Sequence, residues 1–162
     1  MRFRAEHRFV AGVEPVAALL VDPTFHRQLP LPDLALLDVI EAGTVGDEAV
    51  LRLRYEFVGH LDPVARRLLG GRRLTWRHEL LLDLASGSGR LAFAAEADPR
   101  RLHGEAAITL RPRDGGSERT VDGELVVDAP LVGGMAERRI VPGLLRRLDI
   151  EAAAIDEHLA RS

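Results

Sequence analysis

Met1 to Val10 alternates. Phe3, Ala5, His7 and Phe9 fall on one side and Arg2, Arg4, Glu6 and Arg8 on the other, the period-two pattern of a half-buried strand. The period then lengthens. Val16, Leu19 and Leu20 share a helical face, and Pro15 suits a first helical turn. Asp22-Pro23 breaks this helix before a second short one over Phe25 to Leu29. Strands dominate from Leu34 onward. Leu34 to Ala42 is weakly patterned. Ala49 to Gly59 is the clearest, with Leu51, Leu53, Tyr55 and Phe57 on one face. Asp62-Pro63 opens a short helix and Gly70-Gly71 closes it. Arg73 to Asp83 presents Leu74, Trp76, His78 and Leu80, and Arg90 to Ala97 presents Leu91, Phe93 and Ala95. Leu102 to Arg111 presents Gly104, Ala106, Ile108 and Leu110, and Thr120 to Asp128 presents Val121, Leu125 and Val127. Glycine- and aspartate-rich turns separate these strands.

Leu131 to Leu159 closes the chain as a long helix. Val141, Leu145, Leu148, Ala152, Ile155 and Leu159 form one apolar stripe. Pro142-Gly143 is predicted to kink or break it, because proline removes a hydrogen bond and crowds the preceding turn. The predicted order is strand, two short helices, six strands and a long C-terminal helix, an α+β arrangement. Turn-linked neighbours imply an antiparallel sheet. One apolar face per strand asks for a cover on one side only, which the terminal helix can supply.

The 162 residues suit one domain spanning 1–162. Hydrophobic residues make up 46% and charged residues 29%, a globular composition. All 22 basic residues are arginine, and asparagine is missing as well. Both lysine and asparagine have A/T-rich codons, so a GC-rich gene accounts for the bias. A net charge of −3 argues against nucleic acid as a partner. The absence of cysteine removes disulfides, thiol nucleophiles and thiolate zinc sites. No export signal and no membrane-spanning run is visible, so a cytoplasmic location is expected.

The element order resembles that of the START-like, or helix-grip, superfamily (SRPBCC), which includes plant pathogenesis-related pollen allergens and bacterial polyketide cyclases and aromatases. The segments Leu51-Arg-Leu-Arg-Tyr-Glu-Phe57, Leu61-Asp-Pro63, Arg72-Arg-Leu-Thr-Trp76 and Val141-Pro-Gly-Leu-Leu-Arg-Arg147 are similar to an uncharacterised bacterial family within it. The resemblance implies a curved seven-stranded antiparallel sheet gripping the C-terminal helix. It also implies an apolar cavity between them, whose mouth lies at the third-to-fourth and fifth-to-sixth strand connections beside the start of that helix.

The candidate ligand-binding residues are Tyr55, Phe57, Trp76, His78, Leu91, Phe93, Ile108, Met135 and Leu145. Small inward residues (Ala5, Ala95, Gly104, Ala106, Gly123) are expected to leave volume on a curved sheet. His7, Tyr55, Trp76 and His78 are the polar inward groups. Each satisfies itself within a packed core or orients a polar group on a mostly apolar ligand. Arg66, Arg67, Arg72, Arg73, Arg100, Arg101, Arg138 and Arg139 are expected to gather at the mouth. There they are solvated surface charges, or they attract an acidic ligand or an anionic membrane face. Glu56, Glu79, Glu105 and Glu124 fall on the polar face, so no inward carboxylate pair is seen among the strands. No serine elbow and no metal-ligand spacing occurs, so neither a metal nor a cofactor is expected. The first reading is a binder of a hydrophobic small molecule or lipid. The second is a cyclase- or aromatase-like enzyme using Tyr55 or His78 as acid or base. The third is an interaction module with a filled core. The oligomeric state stays open.

Overall fold

A computed structural model describes residues 1–162. The elements are β1 (Arg2–Phe9), α1 (Val13–Leu20), α2 (Pro23–Arg27), β2 (Leu34–Val45), β3 (Glu48–Phe57), α3 (Pro63–Leu69), β4 (Thr75–Asp83), β5 (Ser88–Ala95), β6 (Leu102–Arg113), β7 (Gly116–Val127) and α4 (Gly133–Ala160). The strands form one sheet in the order β1-β7-β6-β5-β4-β3-β2, and every pair is antiparallel. This curved sheet and α4 make the helix-grip fold. No helix is long and apolar enough to cross a membrane.

Alternation builds the sheet as the sequence predicts. In β3, Leu51, Leu53 and Tyr55 are fully buried while Arg52, Arg54 and Glu56 stay half-buried on the other face. Register sets Tyr55 opposite Trp76 and His78 opposite Phe93. Two register irregularities, between Leu36 and Asp38 and between Val39 and Glu41, interrupt β2. Each such shift turns the following side chains over, which is why its alternation reads weakly.

The helices differ in how they are held. α1 buries Val16, Ala17, Leu19 and Leu20, and α2 buries Phe25 and His26. Burying one such leucine contributes about 1.5–3 kcal/mol. α3 buries nothing. It is defined by its ends: the Asp62 carboxylate accepts from the Ala65 amide at 2.8 Å, and Gly70 ends the helix with φ 58°, a conformation glycine adopts without steric cost. α4 runs unbroken through Pro142, which is exposed. The proline costs that helix one internal hydrogen bond but does not split it. α4 packs chiefly against β1 and β7.

Candidate functional site

The concave face of the sheet is not buried evenly. Toward α1 and α2, the inward residues Leu51, Leu80, Leu82, Ile108 and Leu110 are all 3% exposed or less. Toward α3, Phe57, Trp76, Phe93, Leu102 and Val127 are only half-buried, as is Leu145 on α4. Of the predicted ligand-binding residues, Tyr55, His78, Leu91 and Ile108 therefore lie deep, and Phe57, Trp76, Phe93 and Leu145 lie nearer the α3 end. Met135, on the first turn of α4, is 41% exposed. Tyr55 stacks on Trp76 with ring centroids 5.9 Å apart and meets His78 edge-on at 6.0 Å. The volume expected at Gly104 is taken up: the Phe93 ring lies over it, and a Cβ there would overlap that ring. A Cβ on Gly123 would likewise collide with Ala106. Two surface hollows of about 340 and 310 Å³ lie elsewhere, one beside Phe9 and the β6–β7 turn, the other over Gly89, Arg90 and Glu105.

Between the tight end and the looser end runs a buried polar layer. Arg119 of β7, completely inaccessible, pairs with Glu151 of α4 and donates to the Leu148 carbonyl at 3.0 Å. Arg147, one helical turn before Glu151, lies 3.5 Å from that carboxylate. Its Nη2 donates to the Tyr55 hydroxyl at 3.5 Å, and its guanidinium sits 5.4 Å from the Tyr55 ring centroid, an arrangement that favours the cation. His26 of α2 donates from Nε2 to the Leu20 carbonyl at 2.8 Å and turns Nδ1 toward Glu151 at 4.0 Å. At the edge of the layer, Arg119 donates to His7 Nδ1 at 3.1 Å, so the His7 proton sits on Nε2 and is donated to Asp149 at 2.9 Å.

Burial alone would raise the Glu151 pKa, but Arg119 and Arg147, with His26 and His78, bring it down to about 2. Burial and the Arg147 charge push His78 well below its ordinary value. Burial lowers His26 as well, against the pull of Glu151. Both imidazoles are neutral at pH 7, and the ionised members of the layer are two guanidinium groups and one carboxylate.

The sequence analysis does not reach this layer, because it starts the last strand at Thr120 and so leaves Arg119 outside the alternation. The correction follows from strand length. β7 begins at Gly116, so the alternation of Val121 and Leu125 extends back to Arg119 and turns it inward. Glu151 had a legible signal: it follows Leu144 and Leu148 and precedes Ile155 at helical spacing, on the apolar stripe.

The eight predicted mouth arginines lie on the β3–β4 connection, the β5–β6 connection and the first turns of α4, which the antiparallel topology brings to one end. All are exposed. Arg139 pairs with Asp62, Arg73 with Glu56 at 3.2 Å, and Arg100 and Arg101 reach Asp98 at 4.0 and 3.7 Å. The Asp62 pair ties the cap of α3 to α4. Arg66, Arg67, Arg72 and Arg138 have no carboxylate partner within 4.0 Å.

Residues 4–159 match the family described as Protein of unknown function (DUF2505). The chain belongs to that family. No curated protein matches the sequence. Among solved structures, TTHA0849 from Thermus thermophilus is similar with a TM-score of 0.68 and 19% identity, covering 100% of this chain and 99% of that one. Ara h 8.0201 is similar with a TM-score of 0.67 and 16% identity over the same shares. Ms6760 from Mycobacterium smegmatis gives 0.59 and 18%, covering 99% and 91%. These likenesses show that this DUF2505 chain has the helix-grip fold.

Proposed function

We propose that the protein binds an apolar small molecule or lipid tail between the concave sheet and the first half of α4, admitted by displacement of α3. The observation that carries this reading is the uneven burial of the inner face. Trp76 and Phe93 on the sheet and Leu145 on α4 pack against the core yet keep accessible apolar surface, toward a helix that buries nothing of its own. Covering that surface with a ligand contributes ~25 cal/mol per Å² of apolar area removed from water, so few hydrogen bonds are needed. The partnerless Arg66, Arg67, Arg72 and Arg138 favour the approach of acidic ligands or an anionic membrane face, acting on the rate more than on the affinity.

Trp76 is the chain's one tryptophan, and it reports on this face directly. Titration with 1-dodecanol is expected to shift its emission to the blue and to saturate near one equivalent. Native mass spectrometry is expected to show the added mass. Emission unchanged throughout, together with an unliganded mass, would overturn the reading.

A further inference from the structure

Arg147 is a buried cation that its surroundings do not balance. The layer holds Arg119 and Arg147 against the single carboxylate of Glu151, with His26 and His78 neutral. Glu151 gives its closest contact to Arg119, and Arg147 reaches it only at 3.5 Å. Arg147 is 5% exposed, yet its Nη1 and Nε have no acceptor at all. A buried guanidinium is stable only when charge and hydrogen bonds are both answered, and the Tyr55 ring under it answers the first only in part. The residue sits beside the Tyr55–Trp76 stack, where the deep part of the inner face meets the half-buried part.

We propose that Arg147 holds the head group of the ligand, and that the ligand is a monoanionic amphiphile. Its carboxylate accepts from Nη1 of Arg147, and its tail runs past Trp76 and Phe93 toward α3. One unmatched positive charge calls for one negative charge, which favours a carboxylate over a doubly charged phosphate. The Tyr55 hydroxyl, which accepts from Nη2, keeps its own proton to donate to the same head group. The rim arginines cannot fill this role, because they remain in water. This inference rests on the apolar-ligand reading and adds the charge and orientation of the ligand.

The test is calorimetric titration of the full chain with laurate, methyl laurate and 1-dodecanol, each below its aggregation concentration. The three share an alkyl tail and differ in the head group. Laurate is expected to bind at least about tenfold more tightly than the other two. Arg147→Met is expected to remove that preference by bringing the affinity for laurate to that for 1-dodecanol, and Arg147→Lys to restore part of it. Equal binding of acid and alcohol by the wild type overturns the inference and leaves the apolar-ligand reading standing, as does an undiminished acid preference in Arg147→Met. Binding of none of the three overturns both. Should Arg147→Met fail to fold by circular dichroism, the wild-type comparison decides alone.

Discussion

α1 and α3 are short helices of eight and seven residues, set at different places around one sheet, and they are held in different ways. α1 sends four side chains into the core and closes its end of the interior. α3 sends none and is fixed by a capping aspartate, a terminal glycine and the Asp62–Arg139 pair. Helix length and propensity therefore say little about permanence. A helix anchored by buried leucines opens only with the whole fold, whereas one held by its ends can open locally at small cost. The end of the interior nearest α3 is also the one whose aromatics keep some access to solvent.

The largest expected effect sharpens that contrast. Leu20→Ala, at a position 1% exposed, is expected to lower unfolding stability by about 2–5 kcal/mol in urea denaturation. Leu68→Ala in α3, at a position 42% exposed, is expected to change it by less than about 0.5 kcal/mol. Equal losses would erase the distinction between the two ends.

Acid tests the polar layer between them. His26 and His78 have folded pKa values below the ordinary 6.5, so below that pH the unfolded chain binds protons that the folded one refuses. Stability is therefore expected to fall as pH drops below 6.5, by about 1.4 kcal/mol per unit for each histidine until its folded pKa is reached. Glu151 works in a lower window. Its contribution is complete above the unfolded carboxylate range and is lost as pH falls from about 4.3 through about 2. Urea midpoints measured from pH 7.5 to 3 check both signs, and a flat profile between 7 and 5 would contradict the buried neutral histidines.

A smaller and more local effect than that of Leu20→Ala is expected from Asp62→Ala, which removes the α3 cap and the Arg139 pair together. A loss of about 1 kcal/mol is expected, confined to α3. Hydrogen exchange should speed up at residues 63–70 while the amides of α1 keep their protection. Faster exchange in both helices would show that α3 is coupled to the core after all.

Much of this fold was legible in the sequence because alternation survives wherever a strand is straight and half-buried. β3, β4 and β5 declare their faces residue by residue. β2 does not, since its register irregularities invert the pattern partway along. Alternation assigns Tyr55, Trp76 and His78 to the inner face, and the register of β3 on β4 then brings them together. Arg119 and Arg147 could not be found in this way. Charge reads as surface in a one-dimensional pattern, and only the packing of α4 against β1 and β7 shows that these two are enclosed. Gly104 shows the same limit for volume: a small residue on an inner face reads as a gap until the ring that covers it is seen.

Pro142 has a mechanical consequence. It has no amide hydrogen, so the Arg138 carbonyl lacks its partner four residues on, and the adjoining Gly143 offers no side chain to brace the turn. The bond is missing between the segment carrying Met135, Arg138 and Arg139 and the segment carrying Arg147 and Glu151. α4 is therefore least braced at this turn, between a leading end tied to α3 by the Asp62–Arg139 pair and trailing turns that hold the ionic layer.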